Sequence, residues 1–141
     1  MTRYRKPLFE SLTPDIESSI YISHQFEKDV SRKDYWHFHN AYELVFVTSG
    51  KGKRFIDQKV SEYRNGDLLL LSPNTPHNTL FKEHTGKTFE QYVILFDLSI
   101  FKRFFAACKE FNHIGRLFHN MGGAIAFEGN TKKKLANRLK R

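Results

Sequence analysis

The sequence predicts an all-β barrel or sandwich followed by a helical segment. Two patterns carry that reading. From Ile20 to Asp97, short runs rich in β-branched and aromatic residues alternate with turn residues, at spacings of about 8 to 12 residues. After Asp97 the apolar residues recur every three or four positions, which is helical spacing. A chain of 141 residues has the size of one domain, and 40% hydrophobic with 27% charged residues suits a folded globular protein.

Residues 1–19 hold Pro7 and Pro14 without clean periodicity and read as an arm. Within it Leu8 and Phe9 have two readings: they lie over the barrel mouth, or they belong to a frayed terminus. The barrel, residues 20–97, opens with "IYISHQF". "YWHFH", "YELVFVTS", "GKRFID" and "KVSEY" follow, then "DLLLLS", "HNTLF" and "FEQYVILFD". The breaks carry Gly50, Gly52, Asn65-Gly66, Pro73-Asn74-Thr75-Pro76 and Gly86, all turn-forming residues.

Residues 98–141 form the helical segment. Phe101, Phe104, Phe105, Cys108, Phe111, Ile114, Leu117, Phe118 and Met121 share one face of a helix, or of two consecutive helices. Gly122-Gly123 is placed to cap it. "AIAF" then gives a short strand near 124–128. Asn130 or Thr131 can cap a final helix with Leu135, Ala136 and Leu139 on one side.

The formal net charge is +8, but six basic residues and no acid sit in the last eleven, "TKKKLANRLKR". The preceding 130 residues therefore carry only +2. Charge gathered at one end reads as a solvated tail or helix, not as a nucleic-acid face across a domain. No apolar run approaches the roughly 20 residues that span a bilayer. The first residues lack an apolar stretch of signal-peptide length, so the expected location is cytoplasmic. The single cysteine, Cys108, cannot form an internal disulfide and agrees with a reducing compartment. Flanked by "FFAA" and "KEF", it reads as packing.

Chemistry concentrates in "DYWHFHNAYELVFVTSG". Alternate strand residues share a face, so His37 and His39 point one way and Phe38 the other. A tight turn at Asn40-Ala41 lets Glu43 join them from the next strand. In "NGDLLLLSPNTPHN", Gly66 makes a turn, four leucines form a buried strand, and the Pro73–Pro76 corner delivers His77. Three imidazoles and one carboxylate suit a borderline divalent metal such as zinc, nickel, iron or manganese. They equally suit the polar lining of a small-molecule pocket. Trp36 can stack on a sugar or an aromatic effector, or pack at the core or rim. His24, His84, His113 and His119 have no partners at ligand spacing and read as structural or exposed.

The pattern resembles the cupin superfamily, whose first motif runs H-x-H, three or four residues, E, six residues, G. His37, His39, Glu43 and Gly50 match it in full. The second motif spans eleven positions from Gly to His, and Gly66 to His77 keeps that interval. Its inner Pro and Gly are out of register here, and its closing Asn falls on Phe81. "PLFESL", "WHFHNAYEL", "GKGKRF", "GDLLLLSPNTPH" and "AIAFEGNT" together resemble the N-terminal sensing domain of AraC-family transcription regulators.

The resemblance implies a mainly β cupin barrel of jelly-roll type, followed by C-terminal α-helices. It implies an effector pocket that includes Trp36, His37, His39, Glu43 and His77, the last four also being the metal ligands where a metal is bound. It implies a homodimer built on the helices after Asp97, and a small polar effector, sugars among the candidates. DNA binding belongs in this family to a C-terminal pair of helix-turn-helix units, absent from these 141 residues, so the chain reads as an excised domain. The alternative from a different class is a stand-alone metal-dependent cupin enzyme, a dioxygenase or isomerase, which needs open coordination positions and a base.

Overall fold

A computed structural model of the chain describes residues 6–12, 19–27, 35–81 and 88–139. Pro14, His84, the turn expected at Gly86 and the last two basic residues lie outside the described residues. The strands in chain order are β1 (Leu8–Phe9), β2 (Ile20–Glu27), β3 (His37–Phe38), β4 (Tyr42–Ser49) and β5 (Gly52–Ile56). β6 (Lys59–Tyr63), β7 (Asp67–Leu71), β8 (His77–Phe81), β9 (Phe89–Phe96) and β10 (Ala124–Ala126) follow. They form two five-stranded sheets, ordered β1-β3-β8-β5-β6 and β10-β7-β4-β9-β2. Pairing is antiparallel throughout except between β1 and β3. This is the mainly β barrel with C-terminal helices that the two patterns predict.

The run Leu68–Leu71 shows why helices are needed at all. All four leucines are buried, although a strand shows alternate residues to opposite faces. Leu69 and Leu71 point inward, into a cluster with Val45, Val47, Tyr63 and Phe89. Leu68 points outward with Phe46, and both are covered by Ala136, Leu135 and Leu139 of α3 (Gly129–Leu139). A strand apolar on both faces must be covered on both. Lys132 of α3 also lies 3.5 Å from Asp67, whose carboxylate pairs with the buried Arg54 at 2.7 Å.

Gly50, which closes the first motif, has φ 118° and donates its N–H to Asn65 Oδ1 at 2.7 Å. A Cβ there would come within 2.9 Å of the Phe89 ring, so conformation and space both require glycine.

The stretch after Asp97 is two helices. Asp97 accepts a hydrogen bond from the Ser99 N–H and opens a 3-10 turn, Leu98–Phe101, before α1 (Lys102–Ala107). Extended backbone at Cys108 and a second 3-10 turn, Lys109–Phe111, separate α1 from α2 (Asn112–Asn120). The apolar stripe divides accordingly. Phe101 and Phe118 pack on Phe96, and Phe118 meets Tyr42 edge-on at 5.1 Å. Phe104, Phe111, Ile114 and Leu117 are exposed.

Two expected caps fall elsewhere. α2 ends at Asn120 with Met121 already extended, so Gly122-Gly123 does not cap it. Gly123 (φ 78°) instead turns the chain into β10, and its carbonyl accepts the Ser72 N–H. α3 begins at Gly129, which puts Asn130 and Thr131 inside its first turn. Among the described residues no helix is long and apolar enough to cross a membrane.

Phe46, 1% exposed between the sheet and α3, gives a direct test of the outer core. Phe46→Ala is expected to cost about 3–5 kcal/mol. Urea unfolding should show a lower midpoint at unchanged slope, and a loss under 1 kcal/mol would mean that α3 does not depend on this face.

Candidate metal centre

Backbone geometry brings the four motif residues together. His77 opens β8 directly opposite His37 of β3. The Pro73–Pro76 corner is held from two sides before it delivers His77. Asn74, in the left-handed region at φ 59°, donates its N–H to the His39 carbonyl at 2.7 Å. On the other side the Asp57 N–H reaches the Pro76 carbonyl at 2.7 Å. The Ser72 and Thr75 hydroxyls are hydrogen-bonded at 2.7 Å within the corner. Glu43 arrives from β4, in the opposite sheet.

Each imidazole is oriented by a carbonyl two residues away. His37 Nδ1 lies 2.9 Å from the Tyr35 oxygen, His39 Nδ1 3.2 Å from Ala41, and His77 Nδ1 2.8 Å from Thr75. A carbonyl can only accept, so each Nδ1 carries the proton and each ring turns its Nε2 edge away from that bond. The rings gather closely: centroids are 4.4 Å apart for His37 and His77, 5.1 Å for His39 and His77. Glu43 Oε2 then lies 2.7 Å from His39 Nε2 and 3.1 Å from His77 Nε2. His39, Glu43 and His77 are all buried.

A buried carboxylate would ordinarily be hard to ionise. Burial does push the Glu43 carboxyl upward, but the hydrogen bonds from His39 and His77, and the charge they bring, outweigh it and hold the group at about 2. For His77 burial favours the neutral ring, yet the bond to Glu43 prevails and raises it above its ordinary value. His37 is lowered, chiefly by burial, against the Tyr35 carbonyl, with the His77 charge adding to the effect.

The ligating atoms of His37, His39 and His77 lie within 4.8 Å of one another, so these three histidines could hold a metal ion. The donor set fits one. Histidine ligands to metals commonly donate their other N–H to a carbonyl or carboxylate, and all three do so here. A carboxylate oxygen between two imidazole nitrogens also calls for something positive between each pair, a proton or a metal ion. Donors bound at about 2.1 Å and at right angles lie about 3.0 Å apart, close to the 2.7 and 3.1 Å found around Glu43.

One neighbour was not singled out in the sequence. Glu10, just after β1, places Oε2 3.4 Å from His37 Nε2, and its Oε1 accepts the Tyr35 hydroxyl at 2.6 Å. It stands in the quoted "PLFESL", but nothing in that segment's spacing points to β3. Trp36 is half-buried beside the cluster; its carbonyl accepts the Leu8 N–H, and its ring belongs to none of the histidine contacts. His24 pairs with Glu90 at 2.8 Å and stacks on Tyr92, and His113 meets Arg116, both away from the site.

The family model described as AraC-like ligand binding domain matches residues 21–126. The chain belongs to that family. The match contains His37, His39, Glu43 and His77, while Glu10 lies ahead of it. No curated protein matches the sequence. Among solved structures, ToxT from Vibrio cholerae is similar at 16% identity and TM-score 0.52, over 86% of this chain and 48% of that one. ToxT bound to (E)-4-(8-methylnaphthalen-1-yl)but-3-enoic acid is similar at 15% and 0.50, over 88% and 49%. A cupin 2 conserved barrel domain protein from Salinispora arenicola CNS-205 aligns at 21% and 0.48, over 70% and 80%. At these identities the likeness concerns the fold. The chain spans about half the length of ToxT.

The pH dependence of this AraC-like domain follows from the two opposed shifts. Glu43 is depressed, so its contribution to stability is full above its ordinary 4.5 and is lost as pH falls towards 2. His77 is raised, so its contribution is full below 6.5 and is lost as pH climbs past its folded value. In metal-free protein the stability difference between wild type and Glu43→Gln should therefore peak between 4.5 and 6.5. Urea midpoints across pH check this, and a difference that does not vary with pH would contradict it.

Proposed function

We propose that the chain is the effector-sensing and dimerisation domain of an AraC-type transcription regulator, with DNA read by helix-turn-helix units outside this domain. We further propose that His37, His39, Glu43 and His77 hold one divalent metal within the effector pocket, with Trp36 at its edge. The observation that carries the metal reading is the orientation of all three imidazoles by their own backbone. Zinc, nickel, iron and manganese all suit this donor set.

A bound metal supplies a fixed positive charge able to receive an oxygen of a small polar effector. The protein's share is to hold the Nε2 edges and the carboxylate in place before the effector arrives. Sugar hydroxyls and carboxylates both have the required oxygens. That a protein of this fold is solved with a small carboxylic acid bound supports an organic effector. The regulator reading is favoured over the enzyme by the family and by the outward apolar side of α1 and α2, which a minimal enzyme barrel does not need. Effector binding would act by linkage, shifting the population of arrangements that present the attached DNA-binding units.

Elemental analysis of protein purified without a histidine tag should find about one divalent ion per chain, lost in Glu43→Gln combined with His77→Ala. Metal retained in that double variant would exclude the four residues as its ligands.

Phe104, Ile114 and Leu117 form the exposed side of α1 and α2, and a two-fold contact would bury them against a second copy. Sedimentation at micromolar concentration should show a dimer that becomes a monomer in Leu117→Asp. A wild-type monomer, or an unaffected dimer, would count against this interface.

A further inference from the structure

The amino-terminal strand β1 is attached to the barrel by little that is generic. It is two residues long and pairs with β3 alone, Leu8 opposite His37 and Phe9 opposite Phe38. Its backbone bonds are Leu8 N–H to the Trp36 carbonyl and Glu10 N–H to the Phe38 carbonyl, each 2.9 Å. Leu8 and Phe9 are 60% and 57% exposed, so apolar burial contributes little beyond a Phe9–Phe38 ring contact at 5.4 Å. Neither reading of Leu8 and Phe9 from the sequence describes this. The segment is an edge strand, and the side chain that reaches the histidine cluster is the next one, Glu10.

Glu10 completes a pattern. Glu43 Oε2 faces the Nε2 atoms of His39 and His77, and Glu10 Oε2 faces that of His37, at 3.4 Å. Every imidazole of the cluster thus presents its inward nitrogen to a carboxylate oxygen. Two donors on one ion with bonds of about 2.1 Å are about 3.4 Å apart at a tetrahedral angle and about 3.0 Å apart at a right angle, so the Glu10–His37 pair has ligand spacing, while the atoms that all lie within 4.8 Å of one another are those of the three histidines. The other Glu10 oxygen is held by the Tyr35 hydroxyl at 2.6 Å. Ligating carboxylates are commonly oriented by such a second hydrogen bond. Tyr35 also supplies the carbonyl that orients His37, so one residue sets both groups.

We propose that Glu10 is a fifth protein ligand of the divalent metal centre, and that bound metal thereby fastens β1 to the barrel. The inference rests on the proposed metal site. Two carboxylates balance the charge of one divalent ion. Three imidazole nitrogens with two carboxylate oxygens suit zinc, iron or manganese.

The test uses the full chain, with Zn²⁺ and Mn²⁺ added alone as probes. Affinity is read by competition with a chromogenic chelator, and attachment of β1 by chymotrypsin cleavage at Leu8 and Phe9 followed by mass analysis. Wild type should bind at least about tenfold more tightly than Glu10→Gln. Metal should protect Leu8 and Phe9 in wild type and not in Glu10→Gln, while metal-free unfolding midpoints of the two stay equal. Equal metal affinity in Glu10→Gln, or cleavage unchanged by metal in wild type, would overturn the role of Glu10 and leave the four-residue site standing. A wild type that binds neither ion would overturn both.

Discussion

Glu43 is the constraint around which the centre is arranged. An ionised carboxylate 5% exposed inside a barrel is costly unless positive charge and hydrogen bonds are fixed beside it. The fold provides them from His39, just after β3, and from His77 of the facing sheet, both aimed by carbonyls. The bond from Asn74 to the His39 carbonyl and the bond from Asp57 to the Pro76 carbonyl then have a clear purpose, since they fix where His77 stands. Because Glu43 belongs to one sheet and the histidines to the other side of the barrel, the same contacts pin the two sheets together at this end.

A second constraint runs through β7. Four consecutive leucines make a strand that cannot face water on either side, so sheet-on-sheet packing alone cannot satisfy it. α3 answers that need, and its basic character matters locally: Lys132 joins the Arg54–Asp67 pair at the start of β7. Part of the positive charge gathered at the end of the sequence is therefore engaged with the barrel's own acid. The helix is amphipathic and docked, with its remaining lysines directed away from Leu68 and Phe46.

The parts legible in the sequence were those encoded by local repetition. The parity of His37 and His39 survives because one backbone period fixes it, and the interval from Gly66 to His77 survives because the Pro73–Pro76 corner follows β7 directly. The leucine run announced burial but not what covers its outer face, which is a tertiary fact. β1 was illegible for a different reason. A two-residue parallel pairing across about 30 positions of chain leaves no periodic trace, and Glu10 is an ordinary acid until β1 lies beside β3. The glycine pair at 122–123 was misassigned because a left-handed residue serves equally well as a helix cap and as the turn into a strand. α3 starts two or three residues ahead of where a cap at Asn130 or Thr131 would begin it, and helix ends are the least sharply encoded part of a helix.

Strand alternation finally places the centre next to the helices. Tyr42 and Glu43 are consecutive in β4 and so face opposite ways. Glu43 points in to His39 and His77, while Tyr42 points out, its ring against Phe96 and Phe118 and its hydroxyl donating to the Phe118 carbonyl at 3.0 Å. Phe118 lies in α2, the helix that also carries the exposed Ile114 and Leu117. One rigid strand therefore touches both the interior site and the helix that bears the outward apolar face. Linkage between two sites has a geometric requirement, a shared element, and an energetic one, unequal affinity of a ligand for two arrangements of it. β4 meets the first at a separation of one residue. The second depends on how far Glu43 must move to accept what binds beside it, and a strand hydrogen-bonded on both sides, to β7 and β9, resists moving alone. Tyr42, the next residue of that strand, is also the one that holds α2 through Phe118.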